Sequence, residues 1–333
     1  MTMWHMTCAV QYLAGGIFVI NARRRRAFRG ALAATAVTAA LAATAGTAFA
    51  SGDPAGAARM RAVAGAQQQA RAAQSLGPRA RVAGTVETPS FAMTAVHKQT
   101  AELYLYFTDR KGGFEPREDV GVTFEAIADS IDVDNDKDGW SDGTWYLGKD
   151  GKLDYDWIDD QLGYHTQRVG TGWNIYTTVL SPGNLGGAKE ADLIAVDMAG
   201  VLWEYLAYPD GTLTSRKRVG TGWGQYTQIA GQGDLTGDGK ADIVARDKSG
   251  VLWLYKGTGD YKAPFAPRTR IGGGWNMYDR LLSVGDLDAD GKPDLIARKP
   301  NGDLLRYSGT GNTQSVFQKP VEIGSGFQAY NLL

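Results

Sequence analysis

A loop that returns at a near-constant interval constrains the fold of this chain more than any other feature. In Asp286-Leu-Asp-Ala-Asp-Gly-Lys-Pro-Asp294, carboxylates hold the first, third, fifth and ninth positions and glycine the sixth, and the apolar run Leu295-Ile296-Ala297 follows. Asp134-Asn-Asp-Lys-Asp-Gly-Trp-Ser-Asp142 keeps all four carboxylates, while Asp234-Leu-Thr-Gly-Asp-Gly-Lys-Ala-Asp242 has Thr236 in the third place. A fourth copy, Asn184-Leu-Gly-Gly-Ala-Lys-Glu-Ala-Asp192, keeps the frame without most of the oxygens. The first residues of the four loops are 50, 50 and 52 apart. A unit repeated at this period cannot bury its faces alone and must stack on its neighbours.

Two further markers run in phase. One is a Gly-x-Gly-aromatic element: Gly170-Thr-Gly-Trp173 with Tyr176, Gly220-Thr-Gly-Trp223 with Tyr226, Gly272-Gly-Gly-Trp275 with Tyr278, and Gly324-Ser-Gly-Phe327 with Tyr330. The other is the strand Val201-Leu-Trp-Glu-Tyr205, repeated as Val251-Leu-Trp-Leu-Tyr255 and Asp303-Leu-Leu-Arg-Tyr307. Upstream, Met93 to Tyr106 aligns without a gap to Asp242 to Tyr255, so a partial repeat precedes the first Asp loop.

Each unit reads as four short strands: one entering the Asp loop, one leaving it, a third after a Gly-containing turn such as Asn301-Gly302, and a fourth before the Gly-x-Gly-aromatic element. Four antiparallel strands in roughly 40–50 residues make a propeller blade. The array begins at the second strand of a blade, Thr94 to His97, and stops at a first strand, Tyr330 to Leu333. Joined, these ends complete a ring-closing blade. The expectation is an all-β propeller of five four-stranded blades over 89–333.

The Asp loop is more than a turn. Carboxylates packed this closely repel by about 1 kcal/mol per pair at 4 Å in water, and roughly four times that near a protein surface. A solvated Asp/Gly turn would have to bear that repulsion; a cation removes it. Calcium suits the pattern, because it takes several hard oxygens in a flexible shell and glycine supplies the bend. The site is not an EF-hand, whose twelfth position is Glu: here it is Trp145, Ala245 and Ala297, and the ninth-position Asp closes the loop.

Before the array, Arg23 to Arg26 and Arg29 precede an Ala-rich apolar run that ends in Ala48-Phe-Ala50. This reads as a secretory signal over 1–50, cleaved after Ala50 and leaving no stable membrane span. Arg25-Arg-Ala-Phe28 resembles a twin-arginine signal, although ordinary basic leaders look similar. Residues 1–22 are long and apolar for a leader, which is consistent with a later true start or with a retained anchor. Residues 51–88, rich in Ala, Gly, Gln and Arg, read as a disordered linker in which an exposed, marginal helix could form between Ala57 and Ala73.

Composition limits the rest. The five arginines of the first 50 residues leave 30 basic against 36 acidic residues, so no nucleic-acid footprint is present. Cys8 is the only cysteine, which excludes a disulfide framework within the chain. Gly233-Asp-Leu-Thr-Gly-Asp-Gly-Lys240 is out of register for a phosphate loop, with Ala241 where Ser or Thr belongs, and nucleotide binding is not expected. His97 and His165 lie in different repeats and support neither a zinc site nor a Ser-His-Asp constellation.

From Pro89 to Leu333 these motifs resemble the FG-GAP/VCBS repeat family, whose blades build the integrin-α-like propeller, and the Gly-x-Gly-Trp elements resemble its actinobacterial secreted members. The resemblance implies Ca2+ held by the side chains of Asp134, Asp136, Asp138 and Asp142; of Asp234, Asp238 and Asp242, with Thr236 in the third place; and of Asp286, Asp288, Asp290 and Asp294. Backbone carbonyls of Trp140, Lys240 and Lys292 would complete the shells. Familiar members have seven blades, whereas the count here gives five.

Trp173, Trp223 and Trp275, with Tyr176, Tyr226 and Tyr278, could form sugar-stacking platforms or could seal neighbouring sheets. Arg168, Arg218 and Arg270, five residues before each Trp, could stack on those rings, pair with acids or face solvent. Two functions compete. One is a secreted, non-catalytic calcium-binding adhesion module for an extracellular protein or glycan; the other is an extracellular hydrolase with a carboxylate site in the propeller channel. Repetition favours the former, because a catalytic constellation departs from the repeat at one place.

Overall fold

The computed structural model describes residues 54–75, 88–159 and 163–333. The signal expected over 1–50 lies outside the described residues, as do 51–53 and 76–87 of the expected linker. A helix, α1, spans Pro54–Ser75, and twenty strands follow. In chain order they are β1 Met93–His97, β2 Glu102–Tyr106, β3 Glu118–Thr123, β4 Ile127–Val133, β5 Gly143–Gly148, β6 Leu153–Ile158, β7 Tyr164–Gly170, β8 Tyr176–Gly183, β9 Asp192–Asp197 and β10 Leu202–Tyr205. The second half comprises β11 Lys217–Gly220, β12 Tyr226–Ala230, β13 Ile243–Asp247, β14 Leu252–Tyr255, β15 Thr269–Gly272, β16 Arg280–Gly285, β17 Asp294–Arg298, β18 Leu304–Tyr307, β19 Val321–Gly324 and β20 Tyr330–Leu332.

These strands form five antiparallel four-stranded sheets, as the repeat count requires. Four are consecutive: β4–β7, β8–β11, β12–β15 and β16–β19. The fifth is ordered β20-β1-β2-β3, with Ala95 opposite Leu332, Val96 opposite Asn331 and His97 opposite Tyr330. The last strand therefore closes the ring on the first. A second strap supports it: the amides of Phe91 and Asp286 donate to the carbonyls of Val284 (2.8 Å) and Pro89 (2.7 Å), tying 89–91 to the loop end of β16. Gly285 lies at φ 95°, and a Cβ there would stand 1.6 Å from the Pro89 carbonyl oxygen, so only glycine admits this approach.

Each blade hides its middle strands. Residues 294–298 of β17 are all buried, as are 192–196 of β9, whereas the outer strands β15 and β19 are half-buried or exposed. Apolar clusters join neighbouring blades, as where Val244 and Leu252 pack with Leu281 and Leu295. The first strands of the blades meet around a central cavity of about 120 Å3 lined by Asp129, Asp132, Ser181, Gln232 and Arg280.

Where the sequence reads as a linker with an exposed helix, α1 instead docks on the ring. Ala, Gln and Arg favour the helical backbone, and Pro54 stands at the first turn where its missing N–H costs nothing. Val63 and Ala66, three apart, are buried with Val96, Leu103, Phe124 and Tyr146. The surface that orders the helix belongs to the propeller, so the helix's own sequence carries little sign of it. Among the described residues no helix is long and apolar enough to cross a membrane.

Candidate metal centres and the blade aromatics

Every Asp loop bridges the first and second strands of a blade, and its leading carboxylate is anchored by backbone N–H groups. Asp134 accepts from the amides of Asp138 (3.1 Å) and Gly139 (2.8 Å); Asp286 accepts from those of Asp290 (3.2 Å) and Gly291 (2.8 Å). Asp234 accepts from Thr236 (3.0 Å), Gly237 (2.7 Å) and Gly239 (2.5 Å). Left-handed backbone at Lys137 and Ala289, with φ near 60°, curls the loops so that alternate side chains turn inward.

Two loops bring three carboxylates together. Oxygens of Asp134, Asp136 and Asp138 lie within 4.8 Å of one another, and so do those of Asp286, Asp288 and Asp294. Asp288 Oδ1 is buried without a hydrogen-bond partner, an oxygen suited to a cation. Burial raises the carboxyls of Asp134 and Asp294 to about 7, and neighbouring carboxylates push the same way. Hard oxygens held this close fit a divalent cation of calcium's type.

Not every expected ligand joins a cluster. Asp142 turns one oxygen to the amides of Asn135 (2.7 Å) and Asp136 (2.9 Å), and Asp290 pairs with the Lys292 ammonium at 3.0 Å. The middle loop, with Thr236 in place of a carboxylate, forms no three-carboxylate cluster among the described residues; Asp238 pairs with Lys256 at 3.0 Å. Asp242 is fully buried and raised to about 6 by burial. Trp140, Lys240 and Lys292 hold the seventh positions of their loops, where a carbonyl ligand is expected. In the fourth loop the Asn184 amide donates to the carbonyls of Ala188 (2.8 Å) and Lys189 (2.7 Å), so a side-chain amide holds together a loop that has lost the carboxylates of its first, third and fifth positions and keeps Asp192 at the ninth.

The repeated aromatics are structural in their surroundings. Trp173, Trp223 and Trp275 are buried, each on a 3-10 turn, with ring centroids 4.8, 4.6 and 4.8 Å from those of Tyr205, Tyr255 and Tyr307. Tyr176, Tyr226 and Tyr278 meet the same tyrosines hydroxyl to hydroxyl. Indoles this enclosed favour the sheet-sealing reading of Trp173, Trp223 and Trp275 over the sugar platform, while Tyr176 and Tyr226 stay half-buried. Arg168 pairs with Asp154. Guanidiniums cover other indoles: Arg216 over Trp203 (4.2 Å), Arg268 over Trp253 (4.1 Å) and Arg110 over Trp140 (5.0 Å), none of them in the Gly-x-Gly-Trp element. Asp129 and Arg280, which face the central cavity, also escape motif reading; their place on first strands is the only signal.

Against known proteins, residues 234–297 match the FG-GAP-like repeat and 280–317 the FG-GAP repeat. No curated protein is significantly similar to the chain. Among solved structures, AofleA from Arthrobotrys oligospora is 13% identical, over 72% of this chain and 73% of that one, with a TM-score of 0.42. The Nup133 β-propeller domain of Vanderwaltozyma polyspora is 10% identical over 74% and 77%, with a TM-score of 0.34. The matched segments cover the Asp loops and middle strands of the β12–β15 and β16–β19 blades; the chain is a five-bladed propeller in which residues 234–317 match FG-GAP-type repeats.

Proposed function

We propose that the chain is a secreted, non-catalytic binding module, a calcium-stabilised propeller that presents its surface to an extracellular protein or glycan. The observation that carries this reading is the pair of three-carboxylate clusters, Asp134 with Asp136 and Asp138, and Asp286 with Asp288 and Asp294, set at equivalent places in two blades. Sites placed by the repeat stabilise the repeat. The central cavity, about 120 Å3, has room for a few waters and not for a polymer substrate, which weighs against the hydrolase reading.

Bound calcium would add RT ln(1 + [L]/Kd) per site, about 2.7 kcal/mol at a hundredfold excess over Kd. Thermal melts should therefore move upward with calcium and downward with chelator. An unchanged melting temperature, with no calcium by elemental analysis, would reject the metal. Intact-mass analysis of protein from culture medium should place the first residue at or near Ser51; full-length protein confined to the cytosol would reject export. A glycan-array screen of the mature protein tests the carbohydrate partner, and binding to none leaves a protein partner as the reading.

A further inference from the structure

Two fourth strands reach the next blade through the side chain three residues before the first glycine of the Gly-x-Gly-aromatic element. From β7 the Gln167 amide donates to the Asp210 carbonyl, and from β11 the Lys217 ammonium donates to the Tyr261 carbonyl. Each acceptor lies in the loop after the third strand of the following blade. On β15 the same position is Thr269, whose short side chain makes no such bond among the described residues. The junction is left open there as a cleft of about 290 Å3, between β14–β15 and residues 313–318 in the loop after β18.

A second departure from the repeat lies beside the first. Between the two glycines of the element stand Thr171, Thr221 and Ser325 in other blades, but Gly273 here. Its backbone is not left-handed, so the conformation does not demand glycine. The space does: a Cβ at 273 would stand 3.3 Å from Arg270 Nη2, inside the roughly 3.5–4.0 Å at which non-bonded atoms settle. Arg270 is exposed and has no hydrogen-bond or ion-pair partner among the described residues, whereas Arg168, at the same position of the β4–β7 blade, is held by Asp154. Among the described residues no carboxylate lines the cleft. Thr313, Gln314 and Gln318 add a hydroxyl and two amides to its wall, and Tyr307 and Phe317 form its apolar side.

We propose that this cleft binds a sugar acid, the uronate ring of an acidic glycan, with its carboxylate on the Arg270 guanidinium and its hydroxyls on Thr313, Gln314 and Gln318. The planar fork of a guanidinium matches the two oxygens of a carboxylate, and a neutral sugar would forgo those charge-assisted bonds. A cation finds no acid here to pair with. The volume stands at the low end for small-molecule sites and suits a single ring. This site deepens the binding-module reading, on which it rests, by naming the class of sugar, and no residue of the Asp loops lines it.

The test is isothermal titration of the full chain, in calcium buffer, with methyl glucuronide and, separately, with methyl glucoside. Saturable binding of the glucuronide is expected, at least tenfold tighter than that of the glucoside. Arg270→Gln should weaken it at least tenfold, and Gly273→Thr, which restores the residue of two other blades and crowds the guanidinium, should weaken it as well. Arg218→Gln, the matching position of the β8–β11 blade, should leave it unchanged. An unaltered melting temperature shows that the variants fold; should Gly273→Thr fail to fold, the two arginine variants decide. No binding of methyl glucuronide, equal binding of the glucoside, or binding that survives Arg270→Gln, as it would if the uronate sat on calcium in the Asp loops, overturns the proposal. Recognition of other glycans on an array, with no uronate among them, overturns it while leaving the binding-module reading in place.

Discussion

Arg298 on β17 donates from Nη1 to the Tyr330 carbonyl at 2.6 Å, joining the last complete blade to the strand that closes the ring. The same nitrogen reaches the Phe327 carbonyl at 3.0 Å, and Nε and Nη2 form a fork to Asp279 at 2.8 and 3.1 Å. Arg246 makes the equivalent bonds to the Trp275 and Tyr278 carbonyls one blade earlier. The guanidinium thus satisfies backbone acceptors where one blade hands the chain to the next.

Removing it should leave those carbonyls and Asp279 short of donors. Arg298→Met is expected to cost about 2–4 kcal/mol, a fall in melting temperature on the order of 5–10 °C for a domain of this size. Lys319→Ala, at an exposed position, should change little. Equal melting of the two variants would show that the junction does not depend on the arginine.

Ring closure makes a second prediction. Deleting 330–333 takes the β20 pairing from β1 and exposes the inner edge of the first blade. Tyr330 and Leu332, both buried in the cluster with Phe91, Met93 and Leu282, are lost with it. The truncated chain should melt at least 10 °C lower, or self-associate, as read by calorimetry and size-exclusion chromatography. Deleting 54–75 removes only a surface helix with two known buried side chains, Val63 and Ala66, and should leave the ring folded.

The ring and its closure were legible because they follow from counting: a period near 50 and ends that complement each other need no knowledge of contacts. The loops were legible as carboxylate patterns, but not in their membership. Asp142 and Asp290 have competing partners, backbone amides for one and Lys292 for the other, and spacing alone does not show such competition. The docking of α1 was hidden for a different reason, since Val63 and Ala66 become a binding face only against the surface around Phe124 and Tyr146.

Glu204 offers a test of buried charge. It is 1% exposed, neither carboxylate oxygen has a hydrogen-bond partner, and the Lys217 ammonium lies 3.7 Å away. Burial raises its carboxyl to about 7, against about 4.3 in an unfolded chain. The folded form therefore holds a proton that the unfolded form releases, and stability from this group falls as pH rises from about 4 to about 7. Four residues after the left-handed hairpin residue, as Glu204 is after Gly200, two of the other blades carry leucine, Leu105 after Ala101 and Leu254 after Gly250, and the remaining two carry Tyr155 and Arg306. Glu204→Leu should raise stability at pH 8 by on the order of 1–2 kcal/mol and by less at pH 4, measured by urea melts. A gain independent of pH would show that the carboxyl is not neutral in the folded chain.

The calcium reading carries its own pH signature. Without a cation, burial holds Asp134 and Asp294 at about 7 and Asp242 at about 6, so these groups keep protons that the unfolded chain loses near pH 4. In chelator, their contribution to stability should decline between pH 4 and 7. A bound cation needs the ionised carboxylates, so protons compete with it below those values. The difference in melting temperature between calcium and chelator should therefore be largest at pH 8 and shrink by pH 5. Asp286→Asn, which removes charge from one cluster, should reduce that difference, whereas Asn184→Ala should leave it unchanged because the fourth loop forms no three-carboxylate cluster among the described residues. A calcium effect that is flat from pH 5 to 8, or that survives Asp286→Asn and Asp134→Asn together, would place the ion somewhere other than these loops.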